Sequence, residues 1–310
     1  MSHNSSATTL SRPVISTKTP TGMWWGLLGV VAFSFTVPFT RVAVEGLSPL
    51  FIGAGRAVVA AVLAALALAV TSQRFPSGLQ WFRLAVVAGG IAAGFPLLTT
   101  FALTTTSASH GAVVIALLPA ATATAAVIRG RERPRPLFWV LTAVGVIAAL
   151  AFALVQSGGF GALHWADLLL LGAVLAAAIG YAEGGLLARE LGAWQTISWA
   201  LVVASPVMIA LTALSLGSGI PSATPVQWLS FAYLGVVSMF LGFFAWYRGL
   251  AIGPMAQVSQ IQLVQPVMSI AWAALLLGES MSWTTVVGGL AVILCAGAAV
   301  RVRLNPPSAS

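Results

Sequence analysis

Charge is scarce in this chain. Of its 310 residues only 6% are charged, whereas 59% are hydrophobic. A soluble domain carries roughly a quarter of its residues as charged ones, so that class is excluded. Intrinsic disorder is excluded as well, because it requires low hydrophobicity. Acidic residues are the rarest: six Asp+Glu against 14 Lys+Arg, a formal net charge of +8. Cysteine is nearly missing; the single Cys295 lies in an apolar run, which rules out an intramolecular disulfide and a Cys-based metal site. The 31 glycines follow no collagen period. There is no HExxH and no phosphate-loop GxxxxGK(S/T), so neither a zinc protease nor an ATP-driven pump is encoded here. No nucleophile–base pair stands in a suitable context. Enzyme chemistry is not expected, nor is a cofactor or a metal site.

What the chain does have is apolar length. A membrane-crossing helix needs about 20 mostly apolar residues. Ten stretches qualify: 23–42, 49–70, 81–103, 107–128, 137–156, 165–187, 194–216, 228–250, 255–277 and 283–300, here spans 1 to 10. Short polar or Gly/Pro-rich linkers separate them, such as Glu45-Gly46, residues 129–136 and residues 217–225. Only helices or closed barrels satisfy backbone hydrogen bonds in lipid. A barrel would show short alternating strands, so the expected class is an all-α membrane protein of ten transmembrane helices. The polar residues 1–22 lack the apolar core of a signal peptide and are expected to be a disordered cytoplasmic tail; residues 303–310 form a second one.

The basic residues set the orientation. With the N-terminus inside, 12 of the 14 Lys+Arg fall on the cytoplasmic side, leaving Arg41 and Arg56 outside. Such a bias places both termini in the cytoplasm. Eight of the 11 tryptophans stand at span starts, where interfacial anchors belong. The basic run 129–136 is too short for nucleic acid; it reads as a topology signal that can touch anionic lipid. The +8 charge therefore points to the lipid bilayer, not to nucleic acid. The expected location is a bacterial inner membrane, crossed many times.

The chain also repeats itself. Trp81 and Trp228, Pro119 and Pro266, and Glu132 and Glu279 are each 147 residues apart. Residues 23–156 and 165–302 then form two five-span repeats. Five is odd, so the second repeat enters the membrane from the opposite side. Inverted repeats of this kind build many secondary transporters, which carry their site at the repeat interface and work by alternating access.

Three segments carry a resemblance: SPLFIGAGR (48–56), TSASHGAVVIALLP (106–119) and GFFAWYRGLAIGPMAQVSQIQLVQP…LLLGE (242–279). They resemble the EamA-type drug/metabolite transporter superfamily, in its amino-acid and metabolite exporter branch, similar to aromatic amino-acid exporters. The likeness covers nearly the whole chain. It implies a ten-helix exporter of amino acids or related metabolites, with spans 5 and 10 peripheral to a central cavity. The partner so implied is a small-molecule substrate, and the assembly a monomer or weak homodimer. Antiport or import of other polar metabolites, including nucleotide-sugar-like or drug substrates, is the neighbouring alternative, and a channel is a third. The chain departs from the family pattern where many members carry an acidic residue before the proline of span 9: here that residue is Gln265, and Leu118 is its mate. Arg131 replaces the usual glycine before Glu132.

Candidate transport residues follow. Pro119 and Pro266 each remove a helical donor and clash with the carbonyl four residues back, and paired interruptions mark a binding site. Span 9 holds four amides. Gln262 and Gln265 share one face with Ser269, while Gln257 and Gln260 share another. Gln257 is the repeat mate of His110, so Gln257 and Gln260 are taken for the cavity and the other face for interhelical contact. His110 is expected near the outer edge, where solvation suffices to explain it. Trp199, Trp246, Tyr247, Phe39 and Tyr181 are aromatics at depth that could hold an apolar side chain or an ammonium group. Arg56 could bind a carboxylate, but a gating role or an ion pair with Glu45 or Glu279 is the preferred expectation. Glu183 is the only carboxylate expected well inside a span. It is therefore the candidate for proton coupling, with pairing to Arg83 or Arg189 as the alternative. The rows Gly53…Ala69 and Gly172…Gly184 at i+4 spacing are read as packing surfaces.

Overall fold

The computed structural model describes residues 19–130, 164–218, 222–252, 258, 261–262 and 264–279, with scattered residues between 136 and 147 and between 283 and 298. Every regular element among them is helical: α1 (Thr19–Ser34), α2 (Thr36–Ala43), α3 (Pro49–Val70), α4 (Leu79–Val87), α5 (Phe95–Ala102), α6 (Ala108–Ile115), α7 (Leu118–Gly130), α8 (Trp165–Leu191), α9 (Ala193–Ser215), α10 (Pro225–Tyr233), α11 (Gly242–Ile252) and α12 (Val264–Leu277). Six stretches are long and apolar enough to cross a membrane: Thr21–Ala43, Pro49–Val70, Leu79–Ala102, Trp165–Leu191, Ala193–Ser215 and Pro225–Ile252. Span 5 and span 10 lie almost wholly outside the described residues.

Helix starts follow local chemistry. Ser48 accepts a hydrogen bond from Phe51 N–H at 3.2 Å with Pro49 opening the helix, and Ser107 accepts from His110 N–H at 3.1 Å. Thr224 and Gln227 cap each other reciprocally. Each device satisfies donors that a helix leaves bare at its N-terminus. Between α8 and α9 the chain reverses over one residue, Gly192, whose φ of +99° is the kind of conformation only glycine enters freely.

The spans are less regular than their apolar runs suggest. Span 4 was expected as one helix with a proline kink. Instead α6 ends at Ile115, the chain turns through Ala116 and Leu117, and α7 begins at Leu118. The ring of Pro119 has no N–H to offer Ile115 and would collide with its carbonyl, so the helix breaks before the proline. Span 9 breaks likewise: Gln262 is a turn residue, its carbonyl accepts from Gln265 N–H at 3.1 Å, and α12 starts at Val264. That carbonyl is thus taken locally and is not a free acceptor. Spans 3 and 8 each contain a π-helical turn, Ala88–Gly94 and Leu234–Leu241. Shifted by 147 residues, the first lands on positions 235–241 of the second. Such wide turns mark functional sites more often than ordinary helix.

Packing exchanges the two halves. The α1 helix packs on α11, as α8 packs on the π turn and α5; α7 packs on α8, as α12 packs on α1. The repeat-mate helices α3 and α9 also meet directly, and α6 of span 4 meets α12 of span 9, the mate of span 4. One close crossing is at Gly249 of α11, where a Cβ would lie 2.7 Å from the backbone nitrogen of Gly26; two small residues let these backbones touch. The row Gly172…Gly184 of α8 serves the same end, with Gly180 seated on Ile91.

Candidate functional site

A small cavity lies where the two halves meet. Phe33 and Thr36 of span 1, Arg56 of α3, Ile91 of the first π turn and Phe95 of α5 line one side. Tyr181 of α8, Ser238 and Met239 of the second π turn, Phe243 of α11 and Gln265 of α12 line the other. Ile91 and Ser238 are repeat mates, so the two π turns present equivalent positions to the same space. Thr36 and Ser238 join the halves by a hydroxyl–hydroxyl hydrogen bond of 2.7 Å. The free space is about 20 Å³, room for about one water.

Arg56 is the unusual group of this lining. It is 1% exposed, and among the described residues its Nε and Nη2 have no hydrogen-bond partner. The expected ion pairs with Glu45 or Glu279 do not form: Glu45 faces Arg41 at 3.8 Å, and Glu279 is engaged elsewhere. Gln265 brings a second bare group to the cavity, its buried Oε1. The face of span 9 expected to be interhelical glue therefore divides. Ser269 does fasten helices, donating to the Ser34 carbonyl at 2.7 Å, but Gln265 lines the cavity. The residues taken for this role, Gln257 and Gln260, lie outside the described residues.

The aromatic candidates separate into three places. Tyr181 belongs to a central cluster with Phe33, Phe243 and Trp246, in which Phe33 and Phe243 are 4.8 Å apart and Tyr181 and Trp246 5.7 Å. Trp246 and Tyr247 are fully buried behind this wall and do not line the cavity. Tyr247 donates its hydroxyl hydrogen to the Gly180 carbonyl at 3.2 Å, tying α11 to α8. Phe39 stands apart with Phe35 and Tyr233, its ring 4.8 Å from that of Tyr233. Trp199 is farther off again, against Phe75 and Trp81 at 5.2 and 5.7 Å, and takes no part in the central site. Sequence spacing put all five at depth; only the helix crossings decide which share a wall.

Two polar ties join the halves. In the first, Glu183 accepts from the guanidiniums of Arg83 and Arg129, the latter at 2.6 Å, and Arg83 also reaches Glu190 at 2.5 Å. This joins α4 and α7 of the first half to α8 of the second. Glu183 thus has Arg83, one of its two expected partners, and Arg129 in place of Arg189. In the second tie, the Glu279 carboxylate accepts from the backbone N–H groups of Ala108 and Ser109 at 2.9 and 3.0 Å, and from the Ser109 hydroxyl at 2.7 Å. A carboxylate at a helix N-terminus satisfies bare donors and opposes the helix dipole. Of the helix-breaking pair, Pro119 and Pro266 are both buried or near-buried in α7 and α12, just past the breaks described above.

His110 differs from its expected solvated setting. It is buried, with Nε2 2.7 Å from Oδ1 of Asp167. Asp167 is 2% exposed, so Glu183 is not the only carboxylate buried in a span. The signal was present: His110 starts span 4 and Asp167 starts span 6, on the same expected side of the membrane. A larger space of about 680 Å³ lies between α7 and α8, but among the described residues Thr124, Arg129 and Glu183 are the only polar side chains on its lining. Leu175 and Ile179 on its rim are more than half exposed, which suits a lipid-facing groove.

Comparison with known proteins agrees with this architecture. The profile of the EamA-like transporter family matches twice, over residues 20–154 and 164–300. An uncharacterized transporter, YdeK of Bacillus subtilis (strain 168), is 43% identical over 292 residues, covering 92% of this chain and 98% of YdeK. A protein known from a crystal structure shares the fold at 17% identity, with a TM-score of 0.65 over 94% of this chain and 100% of its own. Two family matches that together span the chain, and a transporter at 43% identity, leave one assignment: the chain is a multi-pass membrane transporter and belongs to the EamA-like transporter family.

Proposed function

We propose that this protein exports small organic metabolites, amino acids in the first place, across the cytoplasmic membrane as a secondary transporter working by alternating access. One observation carries the reading. A small cavity lined by polar and aromatic groups sits at the seam of the two halves, which are tied to each other once through Glu183 and once through Glu279. Releasing one tie while keeping the other would open the cavity to one side at a time.

The paired packing of the halves and the matching π turns support a pseudo-two-fold relation. With five spans in each repeat, that relation gives inverted topology and ten helices, and the positive-inside bias puts both termini in the cytoplasm. Pro119 and Pro266 serve as the flexible points beside the cavity. Gln257, Gln260 and His110 are included in the proposal as further substrate-binding groups. Glu183 is the proposed coupling point, since protonating it would release Arg83 and Arg129 together.

Proteoliposome uptake tests this. The expected result is saturable entry of labelled amino acids, stimulated by unlabelled amino acid on the far side and sensitive to a proton gradient. Movement of sugars or nucleotides with no amino acid moving would refute the substrate reading. Flux that never saturates and shows no trans-stimulation would indicate a channel.

A further inference from the structure

The charge balance inside the protein is incomplete. Five of the six acidic residues are described, and all five are occupied: Glu45 by Arg41, Asp167 by His110, Glu183 by Arg83 and Arg129, Glu190 by Arg83, and Glu279 by the N-terminus of α6. None reaches Arg56. A guanidinium stays charged even when buried, and an uncompensated buried cation is strongly unfavourable. The bare atoms of Arg56 are Nε and Nη2, the edge whose two parallel N–H groups grip a carboxylate bidentately. In the same cavity Gln265 Oε1 is a bare acceptor, which an ammonium group can satisfy.

We propose that Arg56 and Gln265 form a clamp for a zwitterion, with the substrate's carboxylate on the Arg56 Nε–Nη2 edge and its ammonium group on Gln265 Oε1. The proposal rests on the reading of the protein as an amino-acid transporter and names how the amino acid is held. Besides Ile91 and the Thr36–Ser238 hydroxyl pair, the rest of the wall is Phe33, Phe95, Tyr181, Phe243 and Met239, so the preferred side chain is apolar or aromatic. The cavity of about 20 Å³ is far too small for a whole amino acid. The two halves must separate to admit it, and the clamp closes as they return.

The test uses the full-length protein in detergent and in proteoliposomes, with the twenty L-amino acids as probes. For the best binder, its methyl ester, its decarboxylated amine and its deaminated acid are compared. The clamp predicts that the ester and the amine bind at least tenfold more weakly. Arg56→Met should abolish binding yet leave the ligand-free melting temperature equal to or above that of the wild type, because it removes an unpaired buried charge. Arg56→Lys should restore part of the affinity. Gln265→Leu should erase the preference for the amino acid over its deaminated acid. If amino acids move but the ester binds as well as the parent, or the Arg56 variants bind unchanged, the clamp is overturned and the transport reading stands. If Arg56→Met melts well below the wild type and Arg56→Lys shows no loss of affinity, Arg56 is structural. If only deaminated acids move, and need Arg56, the amino-acid reading and the Gln265 contact fail together.

Discussion

Glu279 and Ser109, 170 residues apart in sequence, are joined twice: Glu279 Oε2 accepts from the Ser109 backbone N–H at 3.0 Å and from its hydroxyl at 2.7 Å. Glu279, two residues past the end of α12, thereby caps the first turn of α6. One carboxylate fastens span 9 to span 4, its mate in the other repeat.

Removing that carboxylate should loosen one end of the bundle alone. Glu279→Ala loses three hydrogen bonds to a charged acceptor, at a cost of about 1–3 kcal/mol given its partial exposure. A cysteine introduced at Thr36, on the background of Cys295→Ala, should react faster with an impermeant thiol reagent applied from the Glu279 side. Equal labelling in the presence and absence of Glu279 would contradict the latch.

Glu183→Gln should act at the other end. It imitates protonation, leaving Arg83 and Arg129 without their shared partner, and breaking such a buried pair costs about 3–5 kcal/mol. Transport is expected to persist but to lose its response to a proton gradient. A variant that keeps the full gradient response would remove Glu183 from the coupling mechanism.

The His110–Asp167 pair suits a double-mutant cycle. His110→Leu alone strands a carboxylate that is 2% exposed and should cost about 3–5 kcal/mol, whereas His110→Leu combined with Asp167→Leu should be close to neutral. Thermal melts of the two single variants and the double variant in detergent give the coupling energy. Additive losses would show that the pair is not a unit.

Close backbone packing makes a contrasting pair of glycine predictions. At Gly249 an added Cβ lies 2.7 Å from Gly26 N and 2.9 Å from the Gly22 carbonyl. Gly249→Val should therefore force α1 and α11 apart, at a cost of about 1–3 kcal/mol. At Gly89 nothing lies within 4 Å of the added carbon, and Gly89→Ala should be neutral or slightly stabilising. Melting temperatures of the purified variants decide both.

The sequence alone determined that this is an all-helical, multi-pass membrane transporter built of two repeats. Those properties are written in one dimension: apolar length must match the bilayer, and a fixed spacing recurs wherever a half is repeated. It also named Arg56, Glu183, His110 and Tyr181, because charge and hydrogen-bonding groups are costly in hydrocarbon wherever they occur. Only the tertiary structure decided what each of them meets. Whether Arg56 finds a carboxylate depends on where five acidic residues on other helices are spent, and no spacing along α3 encodes that. Likewise Trp199 and Tyr181 look alike as deep aromatics, but α9 crosses α3 and α8 crosses the π turn, so one ring packs on Phe75 and the other walls the cavity. The π turns and the breaks before Pro119 and Pro266 set the last detail, since a single extra or missing hydrogen bond rotates every later side chain on its span. The scarcity of charge identified a membrane protein; that Arg56 lies buried with no described carboxylate in reach was decided by the packing of its helices.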